Sequence, residues 1–142
     1  MGGAGNDGDG VYAMPAPDGL SVSEAQRNPV REKSFEFALE IILLNRALVQ
    51  EHEFVISKQL MRSGTAVGAI VEEAIGAESK RDFLHKMSMA HKEAREAHYW
   101  LRLLDASELL SGTDLTGPIS RANELVSLLT AITRTVKVST NK

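Results

Sequence analysis

The stretch Ser79-Lys80-Arg81-Asp82-Phe83-Leu84-His85-Lys86-Met87-Ser88-Met89-Ala90-His91-Lys92-Glu93-Ala94-Arg95-Glu96-Ala97-His98-Tyr99-Trp100-Leu101-Arg102-Leu103-Leu104 decides the fold. Apolar side chains return every three or four residues, at Phe83, Met87, Ala90, Ala94, Ala97, Leu101 and Leu104. At about 100° per residue they share one helix face and form a buried stripe. The three alanines at its centre invite a close neighbour. Ser79 is a good N-cap, and Asp82 three residues on gives a capping-box arrangement. No breaker intervenes before Leu110, so the expected rod is roughly 45 Å long. Its two flanks differ. Lys80, Arg81, Lys92, Arg95 and Arg102 fall on one side, with Tyr99 among them. Asp82, Glu93 and Glu96 fall on the other, with Met89 and Trp100.

The same spacing extends outward from this rod. A helix is expected over 31–50, with Phe35, Ala38, Leu39, Ile42 and Ala47 as its buried stripe. Another is expected over 54–77. It contains Gly64, Gly68 and Gly76, each costing up to about 1 kcal/mol against alanine, so something must pack very close to it. A last helix starts at Pro118, a favoured first-turn residue, and runs to about Val136. Arg134 and Lys137 suit the negative end of its dipole. The loop Ser111–Gly117 before it is short and polar. No strand-like alternation and no 20–50-residue repeat interrupts the series. Four long helices with short links predict an all-α, up-and-down four-helix bundle over residues 31–138.

Length and composition agree. The 142 residues are one domain's worth, and 43% hydrophobic with 25% charged residues is ordinary globular usage. There is no cysteine, which excludes disulfide frameworks, thiol catalysis and cysteine-ligated metals. The net charge of −3 arises in residues 1–30, where Asp7, Asp9, Asp18 and Glu24 face Arg27 alone. The rest is balanced, so any anion-binding role must rest on a local patch. Residues 1–30 also hold most of the glycines and prolines and read as a flexible, solvated tail. It has neither the basic start nor the apolar run of a secretory signal. Nothing later is apolar enough to span a membrane, and the cytoplasm is the expected compartment.

Catalytic and metal constellations are missing. A di-iron bundle needs two Glu-x-x-His motifs and two further glutamates, and the nearest approach here is Asp82-Phe83-Leu84-His85. His91 and His98, seven apart, share a face, but two histidines make a weak site. Ser57, Ser63 and Thr65 have no base and orienter within reach of the pattern. No enzyme, metal or cofactor is expected. The two-edged rod suggests instead a heterologous interface, in which Asp82, Glu93 and Glu96 of one subunit meet the basic edge of the next, anchored by Trp100.

The most distinctive stretch is Ser57-Lys58-Gln59-Leu60-Met61-Arg62-Ser63-Gly64-Thr65-Ala66-Val67-Gly68-Ala69-Ile70-Val71-Glu72-Glu73-Ala74. Gly64 and Gly68 read as a close helix contact. Glu72 or Glu73 on this largely apolar helix reads as a clamp to a basic group such as Arg62 or Lys86. With Asp82, Phe83, Lys86 and the run Lys92–Leu101, this stretch resembles the four-helix bundle proteins known as 23S rRNA intervening-sequence or S23 ribosomal family proteins. The resemblance covers about residues 34–135. One position departs: the family usually has asparagine where this chain has Ile70.

The resemblance implies an up-and-down bundle assembling as a ring-shaped homopentamer. It implies association with RNA, or with an RNA-acting protein such as the reverse transcriptase served by a related accessory branch. That branch is strongly basic and this body is electroneutral, which dilutes the likeness. The residues expected to meet an anion are Arg81, Lys92, Arg95 and Arg102. The alternative reading is a protein-interaction module with no nucleic-acid role, favoured by the neutral body and acidic start.

Overall fold

The computed structural model describes residues 24–140, with side chains over 29–137. It consists of α1 (Glu24–Gln50), α2 (Val55–Ile75), α3 (Lys80–Ser107) and α4 (Thr116–Thr140). Each helix packs on its chain neighbours, and α1 closes the square against α4. α1 does not touch α3, nor α2 α4, so each of these pairs lies on a diagonal. This is the all-α four-helix architecture read from the pattern.

Helix ends differ from expectation at three places. α1 begins at Glu24 rather than Arg31 and runs through Pro29. The residues 24–30 assigned to the tail are therefore helical, and residues 1–23 of that tail lie outside the described residues. α3 stops at Ser107 instead of Leu110, where Glu108 takes a left-handed conformation at φ 60° and its N–H returns to the Asp105 carbonyl. α4 starts at Thr116, which leaves Pro118 within its first turn, where a missing N–H costs nothing. The Ser79 cap forms as expected: its Oγ accepts from Asp82 N at 3.0 Å.

The core is one continuous apolar column. The α3 stripe is buried at every expected position. α1 is the exception. Its buried residues are Val30, Ser34, Phe37, Ile41, Leu44 and Leu48. Phe35, Leu39 and Ile42, expected inside, are exposed, and Ala38 and Ala47 are half-buried. α1 carries two apolar stripes on opposite sides, both at helical spacing, and the bundle buries the other one.

α1 and α2 approach closely where the glycines stand. A Cβ on Gly64 would lie 2.8 Å from Ile41 Cγ1, and one on Gly68 would lie 3.3 Å from the Ser34 carbonyl oxygen. Gly76 is different. It caps the end of α2 with ordinary space around it. Nearby hydroxyls are satisfied locally: Ser63 Oγ donates to the Gln59 carbonyl at 2.9 Å, and Thr65 Oγ1 to that of Met61 at 2.7 Å. Neither is poised as a nucleophile.

Candidate functional site

Two sets of charged side chains stand out in the bundle. The first lies in the seams between helices and is paired. Arg31 of α1 grips Glu72 of α2 with two bonds, at 2.8 and 3.1 Å. Arg121 of α4 does the same to Glu40 of α1. Lys33 meets Glu124 at 3.1 Å, and Lys86 meets Glu73 at 3.0 Å. Arg62 of α2 forks between Glu93, at 3.1 Å, and Glu96 of α3. Trp100 Nε1 donates to the same Glu96 carboxylate at 3.0 Å. The bonds from Arg62 first, and from Trp100 next, hold the Glu96 carboxyl below its ordinary range, against the opposing effect of partial burial.

These pairs relocate several residues of the sequence reading. Glu72 is held by Arg31, while Glu73 is held by Lys86. Arg62 takes neither and bridges to α3 instead. Glu93 and Glu96 face α2 of their own chain, and Trp100 is half-buried against the core. The acidic edge of the rod is thus spent inside the subunit, because α2 supplies a guanidinium where the sequence alone offered open solvent. Among the described residues of that edge, only Asp82 has no side-chain partner on another helix, and it lies beside Lys86 on α3.

The second set is exposed. Arg46, Lys58, Arg134 and Lys137 are also exposed without an ion pair among the described residues, but four such cations gather on α3 alone. Arg81, Lys92, Arg95 and Arg102 all stand on the outer side of α3, opposite its buried stripe. None of the four makes an ion pair among the described residues. Tyr99 lies among them, half exposed, with the Arg102 guanidinium 5.9 Å from its ring centroid. Trp100 touches the same ring edge-on at 5.3 Å. The arrangement joins an aromatic face to a row of cations, a combination suited to phosphates and to stacked bases.

His91 and His98 line the α4 side of this row. His91 Nε2 is 2.9 Å from Thr130 Oγ1, whose own proton goes to the Val126 carbonyl at 2.7 Å. The imidazole is therefore the donor in that contact. Burial, then the charge of Arg95, pushes the His91 pKa below the usual histidine value; burial, then Arg102, does the same to His98. Both rings are therefore mainly neutral at pH 7. No group of three metal-ligating side chains assembles among the described residues. None of the described helices is long and apolar enough to cross a membrane.

Residues 26–131 match the family model of the 23S rRNA-intervening sequence proteins. The chain belongs to that family. A solved structure of a protein of unknown function from the S23 ribosomal protein family of Bacteroides thetaiotaomicron is 41% identical to it. The two superpose with a TM-score of 0.74 over 78% of this chain and 99% of the other. No curated protein matches the chain. Family and neighbour together agree with the four-helix bundle, and neither carries an assigned activity. Membership in the 23S rRNA-intervening sequence family therefore leaves the chemistry of the outer faces to speak for function.

In the sequence the basic residues read as one edge of the rod, and in the structure they stand on the outer side of α3. On α1 the sequence reading took the outer stripe for the core one and passed over Phe37, Ile41, Leu44 and Leu48. The signal for both was present, since Phe35, Leu39, Ile42 and Val49 obey the same period as the core residues. Periodicity alone does not rank two stripes on one helix.

Proposed function

We propose that this protein is a non-enzymatic, self-associating scaffold that holds RNA, or a protein acting on RNA, against the outer face of α3. The observation that carries the reading is the allocation of charge. The net-neutral body spends its seam cations on intramolecular pairs, yet leaves Arg81, Lys92, Arg95 and Arg102 free beside Tyr99. Phosphate binding draws its free energy from such unpaired cations through counterion release. The family's description as 23S rRNA-intervening sequence proteins supports an RNA rather than another polyanion. A reverse transcriptase is the protein partner that the resemblance implies. A homopentamer is the assembly it implies, and the cytoplasm is the compartment that suits both.

Filter binding with a structured RNA at low salt tests the reading. Retention that falls steeply with added salt, and is lost when the four α3 cations are replaced by alanine, is the expected result. No retention at about 50 mM salt overturns it. A second reading, a protein-interaction module without nucleic acid, is favoured by the exposed apolar stripe of α1. That module would bind its partner with little dependence on salt.

A further inference from the structure

We infer that the groove between α3 and α4 is the track for the phosphates of an RNA strand, and that His91 and His98 in it contact them as imidazolium ions, so that the site takes up protons as it fills. This placement deepens the RNA reading above and rests on it. The four seams of the bundle are not alike. Ion pairs cross from α1 to α2, from α2 to α3 and from α4 to α1. Between Leu84 and Ser107 of α3, none among the described residues crosses to α4. The one carboxylate in the α4 sequence, Glu124, is turned to Lys33 of α1. Glu93 and Glu96 of α3 are held by Arg62 of α2. The next acid along α3, Asp105, comes seven residues after His98, about 10 Å along the axis.

What borders this groove is basic or neutral. α4 returns antiparallel to α3 after the link 108–115, and its Thr130 meets His91. Seven residues from that contact, exposed Asn123 comes level with His98. One turn the other way, exposed Arg134 extends the α4 bank, and Arg95 and Arg102 form the α3 bank. A polyanion supplies the negative charge that this seam lacks. Tyr99, half exposed with the Arg102 guanidinium 5.9 Å from its ring, gives a base a surface to stack on, which favours RNA over an acidic peptide.

The histidines respond to that charge. His91 Nε2–H donates to Thr130 Oγ1, which leaves a bare lone pair on Nδ1 of the neutral ring. That lone pair repels a phosphate oxygen, whereas a protonated Nδ1–H donates to it. His98 has no hydrogen-bond partner among the described residues. Burial first, then Arg95 beside His91 and Arg102 beside His98, lowers both pKa values. A phosphate between these groups offsets the guanidinium charge and raises them again. A group whose pKa rises on binding contributes affinity that is fully present below its free-state pKa and is lost as pH rises through its bound-state pKa. Each unit of rise is worth about tenfold in affinity.

Fluorescence anisotropy of a labelled oligouridylate, whose bases do not titrate near neutrality, tests this at constant low ionic strength. Affinity is expected to rise about tenfold or more from about pH 7.5 to about pH 5.5. With His91→Gln and His98→Gln combined, it is expected to stay within about twofold over that range. His85→Gln, at an exposed α3 position outside the groove, is expected to keep the full rise. Arg134→Glu is expected to lower the log–log salt slope by about 1 or more, and Arg46→Glu on α1 to leave it unchanged. Circular dichroism checks folding. Should the double variant fail to fold, His98→Gln alone breaks no hydrogen bond and is expected to remove about half of the logarithmic rise. No binding at any pH overturns the RNA reading and this inference together. Binding that ignores pH, or that keeps its rise without the histidines, overturns their role alone. Binding weakened by Arg95→Glu but not by Arg134→Glu puts the RNA on α3 only and overturns the groove.

Discussion

α1 and α3 stand at opposite corners of the bundle and bury similar stripes, yet their outer faces differ in kind. α3 turns cations and Tyr99 to solvent, and α1 turns phenylalanine and leucine. The core of each helix is built by the same rule of burial. What distinguishes them is the side that the fold does not use. A helix whose outer side is charged needs no cover, whereas one whose outer side is apolar is incomplete alone. The contrast is one of chemistry: the outer face of α3 offers cations beside an aromatic ring, and that of α1 offers apolar surface.

Reversing charge on α3 gives the largest expected effect. Four phosphate contacts to single-stranded RNA imply a log–log salt slope of about −3, and replacing Arg95 and Arg102 by glutamate should halve it or more. Retention at low salt should fall by about tenfold or more, while the native mass stays at the wild-type value. A fall in mass would merge the two faces into one and remove the contrast drawn here. Trp100→Ala sharpens it from the other side. The sequence reading makes Trp100 an interface anchor. In the structure its indole is half-buried and bonded to Glu96 of the same chain, so native mass should hold while the melting temperature drops.

Gly64→Ala comes next in size. The added methyl would meet Ile41, a branched and fully buried side chain that cannot swing away. Overpacking of about 1–3 kcal/mol should outweigh the gain of up to about 1 kcal/mol in helix propensity. Gly112→Ala is the control, because nothing lies within 4 Å of a Cβ there. Urea denaturation should separate the two variants clearly.

Smaller still is the Arg62 fork. Its guanidinium is half exposed, so solvent screening limits each pair to about 1 kcal/mol or less. A double-mutant cycle between Arg62→Met and Glu96→Gln should return a coupling within that bound. The smallest effect concerns His91. Its pKa lies below the unfolded value, so the unfolded chain binds the proton more readily. Stability should therefore be unaffected by this group above about pH 6.5 and decline as pH falls from there through the lower folded value. His91→Gln should flatten that part of a melting-temperature profile between pH 7 and 5. An identical slope in the variant would assign the decline to other groups.

Much of the architecture was legible in the sequence because it depends on neighbours in the chain. The period that places Phe83, Met87 and Leu101 on one face is a property of residues three and four apart. The same is true of the Ser79 cap and of the first-turn Pro118. Gly64 and Gly68 announced a close contact for the same local reason, since a helix interior accepts glycine at a cost. The family resemblance rested on that stretch, and the family match covers it.

The ion pairs were not legible. Arg31 finds Glu72 across 41 residues and Arg121 finds Glu40 across 81, and no spacing rule reaches that far. Glu93 and Glu96 looked free for an outside partner because Arg62 lies on a different helix. The pairing of seams decided which cations remain available, and so located the candidate site as much as the residues themselves did.

By itself, then, the sequence determined four helices, the Ser79 cap of α3, the α3 core stripe and the family. Local stereochemistry and helical period are enough for that. Only the tertiary structure decided which of the two α1 stripes enters the core and which acids and bases cancel. Both depend on where the other helices stand, and a helix can turn either apolar face inward until its neighbours, packed against Gly64 and Gly68, admit one and leave the other in water.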